Sequence, residues 1–225
     1  MSIIHEQRLS DSPYVEAVTR GWTVGAGSTI RPAECNWHMV FVREHGRSHS
    51  LIVGPWTAAG VASWGEGAEI LWVKFKLGVF MPHLPVRNVL DSEKSLPGAA
   101  DKSFWLKNAA WELPNFENAD TFMNRLIHEE VLILDPVVDA MLQDKLPDMS
   151  SRTMRHHFLR ATGLTLSRIR QMKQAQQATA LLQQGVSILD TVHEVGYFDQ
   201  PHLTRALRQF VGHTPAQIAH SSRPG

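Results

Sequence analysis

Gln200, His202, Thr204, Arg205 and Arg208 crowd one short segment, and their types suit hydrogen bonding to the edges of nucleic-acid bases. Between them Leu203, Ala206, Leu207 and Phe210 stand at i, i+3, i+4 and i+7, the repeat of a helix with one buried stripe. The polar residues fall off that stripe and face outward. Glutamine pairs through two hydrogen bonds with adenine and arginine does so with guanine, each discriminating by about 1–3 kcal/mol. A helix laid in the major groove reads bases with its N-terminal turns. That favours Gln200, His202, Thr204 and Arg205 for bases and leaves Arg208, further along, for phosphate. The same side chains on an isolated helix would be only a solvated face, so their setting decides.

The setting is two short helices and a tight turn. An apolar-periodic helix is expected from Ile188 to Val195, stopped by Gly196. Tyr197-Phe198-Asp199 makes the turn, and the second helix runs from Gln200 to Gly212. This is the layout of a helix-turn-helix. A second basic helix is expected upstream, capped by Ser150 or Ser151, running to about Ala161 and ended by Gly163. Met154 and Phe158 face inward there, leaving Arg152, Arg155, His156 and Arg160 outside. Between the two lies a Gln-rich helix opened by Thr165 or Ser167 and stopped by Gly185. At ~1.5 Å per residue it spans ~27 Å, close to the ~34 Å of one duplex turn, so both basic helices could enter successive major grooves.

Charge supports the reading. The chain of 225 residues is neutral overall, but residues 1–149 hold 13 Lys+Arg against 19 Asp+Glu, while residues 150–225 hold 9 against 3. A basic module beside an acidic one is the electrostatic footprint of a DNA reader joined to a different kind of domain. All 7 tryptophans lie between Trp22 and Trp111, in the acidic part. Cys35 is the lone cysteine, so no internal disulfide can form. There is no apolar run of membrane-spanning length and no signal-peptide pattern at the start, which fits a cytoplasmic protein.

The acidic part reads as strands. Asn36–Arg43 and Ser48–Gly54 are short β-branched and aromatic runs, and Glu69–Leu77 alternates. In the last, Leu71, Val73, Phe75 and Leu77 point one way and Ile70, Trp72, Lys74 and Lys76 the other. Frequent Gly and Pro supply turns, so a small antiparallel barrel or sandwich is expected. Asn118–Val131 then becomes helical, its apolar stripe serving either as domain core or as a dimer seam. Val137–Lys145 is a further short helix, started by Pro136 and ended by Leu146-Pro147-Asp148. Trp37, Trp56 and Trp72 are candidate contacts for an apolar ligand; Trp37 shares a face with Met39 and Phe41 and is equally a core residue. No metal-ligand spacing, no GxSxG elbow and no phosphate loop is present, so no metal, no cofactor and no catalytic residue is assigned.

The segment 150–219 resembles the DNA-binding domain of the AraC/XylS family of bacterial transcription regulators. The residues that carry the likeness are Ile188, Gly196-Tyr197, Asp199, Leu203, Arg205, Gly212 and Thr214-Pro215, with Ser150, Met154, Phe158 and Gly163 in the first half. The resemblance implies two helix-turn-helix units, with Arg152, Arg155 and His156 as first-helix readers and Gln200, His202 and Arg205 as second-helix readers. Only Val137–Lys145 precedes the first reading helix, so that unit is expected to be abbreviated. The family often carries an N-terminal β-barrel for a small effector or for dimerisation.

The expectation is therefore an α+β chain: a small, cupin-like antiparallel β-barrel or sandwich followed by an all-α tandem helix-turn-helix domain. Residues 1–116 form the effector or dimerisation domain, 117–134 a linker or dimerisation helix, and 135–225 the DNA-binding domain. Its partners are double-stranded DNA, a small-molecule effector, a second copy in a homodimer and RNA polymerase, without a membrane. The alternatives are a constitutive regulator whose β domain contacts another protein and binds no ligand, and an enzyme with a DNA-binding tail.

Overall fold

The computed structural model describes residues 3–143, 145 and 148–221. Along the chain the strands are β1 (Ile3–Leu9), β2 (Val15–Thr23), β3 (Gly27–Arg31), β4 (His38–Glu44), β5 (Arg47–Val53), β6 (Gly60–Trp64), β7 (Glu69–Phe75), β8 (Val79–Phe80), β9 (Glu93–Leu96), β10 (Gly98–Ala100), β11 (Ser103–Leu106), β12 (Ala109–Glu112) and β13 (Ile133–Leu134). The helices are α1 (Ala119–His128), α2 (Pro136–Leu142), α3 (Ser151–Thr162), α4 (Leu166–Gln183), α5 (Ile188–Val195), α6 (Gln200–Phe210) and α7 (Pro215–Ser221). An antiparallel-sheet-rich region thus precedes a helical one, as the sequence pattern requires. The chain divides into two compact units. The first holds Met1–Gly27, Asn36–Pro55 and Ser63–Leu164, the second Ser28–Cys35, Trp56–Ala62 and Thr165–Gly225.

The first unit is built on a six-stranded sheet of order β1-β2-β7-β4-β5-β9, with β1 and β9 at its ends. Its pairings put Met39 opposite both Val73 and Ile52, and Val40 opposite both Trp72 and Leu51. Because side chains alternate across a strand, this register sorts them onto two faces. One face carries the core: Val18, Met39, Ile52, Val73 and Phe75 are fully buried. The β11–β12 hairpin and α1 supply rings to it. Phe41 meets Phe104 at 5.6 Å and Phe122 at 5.8 Å, and Trp111 meets Phe122 at 6.1 Å, edge-on. Tilted and edge-on pairs of this kind add about 0.5–1.5 kcal/mol each beyond simple burial.

The apolar stripe of α1 belongs to this core. Ala119, Phe122, Met123 and Leu126 are buried, so the choice left open between core and dimer seam falls to core. The reverse face of the sheet carries a smaller cluster. Val40, Ala68 and Ile70 are buried there, with Val42, Leu51, Val53 and Trp72 packed half-exposed against them. Both faces of β7 therefore bury apolar groups, and the alternation read from its sequence separates two clusters rather than core from solvent.

Strands β1 and β10–β12 were not expected. Strand β1 is an edge with mostly exposed side chains, so no alternation marks it. The β11–β12 turn is Lys107-Asn108, both with positive φ (49° and 61°). That is the backbone of a two-residue hairpin turn, reached here without glycine, which removes the usual sequence signal.

The second unit holds α4 to α7 and a two-stranded ribbon, β3 with β6. Ile169, Met172, Ala175, Ala178 and Leu182 of α4 are buried, and α5, α6 and α7 pack around it. The ribbon is part of this packing. Ala33 N–H donates to the Phe210 carbonyl at 2.7 Å and Ala59 N–H to the Gln209 carbonyl at 2.8 Å. These carbonyls end α6 and have no partner inside the helix, so the ribbon caps it. Arg168 of α4 donates to the Thr57 carbonyl at 2.6 Å and lies over the Phe210 ring at 4.5 Å.

Candidate nucleic-acid interface

Each helix of the basic segment begins on the side chain that should start it. Ser150 accepts from Thr153 N–H, Thr165 from Arg168 N–H, Ser187 from Asp190 N–H and Asp199 from His202 N–H. Each such cap is worth about 1 kcal/mol. Helix α7, not expected from periodicity, has a capping box: Thr214 Oγ1 accepts from Gln217 N–H and Gln217 Oε1 accepts from Thr214 N–H. That Thr-x-x-Gln spacing is legible in the sequence and would have found the helix.

Helix α5 stops at Gly196, whose φ of 80° is left-handed. This conformation turns the chain sharply toward α6 and disfavours any residue with a side chain. Tyr197 anchors the turn. It is buried, and its ring meets His202 edge-on at 5.1 Å. Leu203 and Leu207 are fully buried and Phe210 nearly so, which fixes the roll of α6 and aims the opposite face outward.

On that face Arg205 and Arg208 are exposed, and Gln200 is exposed in the first turn of the helix. Neither Arg205 nor Arg208 has a hydrogen bond or ion pair among the described residues. Thr204 is half-buried and spends its hydroxyl on the Gln200 carbonyl at 2.9 Å. His202 is exposed but leans on Tyr197. The structure thus brings all the expected second-helix residues onto one short helix and leaves Gln200, Arg205 and Arg208 with uncommitted donors. Phe198, at the turn, is 92% exposed and is not among the expected site residues. An apolar ring standing in water beside Gln200 is suited to contact with a thymine methyl group.

The first basic helix is held differently. Asp135 is buried and caps α2 through Val137 N–H at 3.0 Å. The same carboxylate meets His157 Nδ1 at 2.9 Å and Arg160 at 3.4 Å, which locks α3 to α2. A buried carboxylate needs such partners to be tolerated. Arg152 and Arg155 are exposed. His156 and Arg160 lie along a cleft with the chain near Phe80 and Val86. Helix α3 belongs to the first compact unit and α6 to the second. Helix α2 ends at Leu142, and the expected stop at Leu146-Pro147 lies outside the described residues.

The three candidate tryptophans do not share one place. Trp37 is buried, edge-on to Phe75 at 5.4 Å, with its indole N–H given to the Val79 carbonyl. Trp72 sits on the reverse face of the sheet. Trp56 belongs to the second unit, with the Arg31 guanidinium 3.7 Å above its ring. Only Trp56 and Trp72 keep partly exposed surface.

Burial pushes the Tyr197 phenol up to about 12. The folded chain then holds this proton more tightly than the unfolded chain does. The stability this contributes is complete below about pH 10 and is lost as pH rises toward 12. The hydroxyl has no hydrogen-bond partner among the described residues. Tyr197→Phe is therefore expected to leave stability at neutral pH unchanged or raised by about 1 kcal/mol. It should also flatten the decline in urea midpoint between pH 10 and 12; a loss above about 2 kcal/mol at pH 7 would contradict this account.

A capped helix pair closed by Gly196, with a basic outward face on the second helix, defines a DNA-binding helix-turn-helix protein. The comparisons agree. A family model described as a helix-turn-helix domain matches residues 147–221. The HTH-type transcriptional regulator RipA of Corynebacterium glutamicum is 32% identical over 89 residues, which are 39% of this chain and 27% of that protein. The chain therefore matches well under a third of RipA's length. No solved structure matches. The likeness covers residues 147–221 and is to an AraC-type helix-turn-helix domain.

Proposed function

We propose that the chain is a sequence-specific transcription regulator whose α6 lies in the major groove of double-stranded DNA. Arg205 pairs with a guanine, Gln200 reads a neighbouring base and Arg208 holds phosphate. His202 and Thr204 shape the N-terminal end of the reading helix. Arg152 and Arg155 of α3, with His156 beside them, add contacts in a second position. The observation that carries this reading is the pair of uncommitted guanidinium groups, one turn apart, on a helix whose roll is fixed by Leu203 and Leu207. Functionally, residues 1–116 serve as the regulatory domain, 117–134 join the parts and 135–225 bind DNA. A small effector acting on the first part, a homodimer and a contact with RNA polymerase complete the proposal, by linkage between effector and DNA sites. A second reading makes the β region a protein-interaction module. The half-exposed Val42, Leu51, Val53 and Trp72 on the reverse sheet face support it.

The test is selection of bound duplexes from a random library by the full chain, followed by titration at several salt concentrations. Enrichment of a defined site supports the reading, and binding without enrichment refutes it. Arg208→Ala should weaken binding to selected and random duplexes alike. It should lower the slope of log K against log salt by about one, because one phosphate contact is lost.

A further inference from the structure

The first unit contains a cleft of about 560 Å³ between α3 and the chain from Phe80 to Arg87. That is within the range of small-molecule sites. Its walls are apolar: Phe80, Met81, Val86, Ile133 and Leu159. The titratable side chains of its lining are all basic residues: Arg87, His156 and Arg160. Leu159 is 41% exposed, unusual for a leucine on a packed helix, and it faces this space. Arg160 stands 5.2 Å above the Phe80 ring and shares Asp135 with His157. Arg87 and His156 have no acidic partner among the described residues.

We propose that this cleft binds a small molecule with an apolar body and one carboxylate. The walls would take the body out of water. A cationic rim with no acidic residue selects an anion, and guanidinium groups match the two oxygens of a carboxylate. A single charge suffices, because Asp135 already offsets part of Arg160. The ligand would touch His156 and Leu159, which lie on the side of α3 that also carries Arg152, four residues before His156. Occupancy would then bear directly on the first basic helix. This consequence for regulation rests on the proposed function; the binding itself does not.

The experiment is calorimetric titration of the full chain with decanoate and with decanol, both below micelle-forming concentrations. Decanoate is expected to bind at least tenfold more tightly. Arg87→Ala should weaken decanoate at least fivefold and leave decanol unchanged. Leu159→Trp, which fills the cleft from an exposed position, should weaken both at least fivefold while the circular dichroism spectrum is preserved. Equal affinities for the two probes, no binding of decanoate, or indifference of decanoate to Arg87→Ala would each overturn the proposal. No DNA enters this test. Failure here with an enriched duplex site still found leaves the DNA reading intact, and the reverse outcome would leave the cleft standing without it.

Discussion

Arg205→Ala is expected to collapse the preference for a selected duplex over random duplex by about 5- to 150-fold, the equivalent of about 1–3 kcal/mol. The fold should be untouched, since the side chain is exposed and makes no contact that the core of the second unit depends on. The geometry explains why this residue outranks its neighbours. Arg205 lies on the outward side of α6, one and a half turns from the start, where a groove-bound helix comes nearest to base edges. Thr204 has committed its hydroxyl to the Gln200 carbonyl and His202 leans against Tyr197, so each has less to offer a base. Competition binding with the selected and a scrambled duplex would measure the effect. If Arg205→Ala discriminated as well as the parent chain, another helix would have to be the reader. Arg208→Ala provides the contrast, because losing a phosphate contact lowers affinity while preserving the ratio.

Much of this interface is local and was therefore legible in the sequence. Caps act within four residues, so Ser187 could be read directly and Ser150 and Thr165 were each one of two neighbouring candidates, and Gly163, Gly185 and Gly196 mark where the helices stop. The buried stripe of α6 follows from spacing alone. The strand cores at Met39, Phe41 and Leu71 were visible for the same reason. What escaped notice depends on partners far away in the chain. Nothing in the neighbourhood of Ala33 or Ala59 announces that their N–H groups will end a helix about 180 and 150 residues later, respectively. Trp56 looked like a ligand contact of the β region, yet its segment folds with the helices. The family resemblance implies a base-reading role for His156, and periodicity could not reveal that Phe80 and Val86 line the same cleft. The Asp135–His157 pair was missed because a carboxylate before a proline reads as a cap and carries no sign of a second partner 22 residues on.

The ribbon's packing against α6 has a consequence large enough to measure. Gly212→Ala is expected to destabilise the chain by about 2–5 kcal/mol. The φ of Gly212 is 82°, which costs an alanine about 1–2 kcal/mol. A Cβ there would also stand 2.4 Å from Ile30 Cγ2 and 3.2 Å from Ala59 Cβ, and overpacking of that kind costs about 1–3 kcal/mol more. Gly185→Ala is the internal control. Its φ of 87° carries the same backbone strain, but a Cβ there meets nothing within 4 Å. Urea unfolding should therefore separate the two variants by at least about 1 kcal/mol, and equal losses would show that Ile30 does not pack where it is placed. A double substitution decides the matter further. Ile30→Ala removes the atom that the new methyl would strike, so Gly212→Ala should cost less in that background than alone. Strain at φ is indifferent to Ile30, and only a direct contact between ribbon and helix end can make the two substitutions depend on each other.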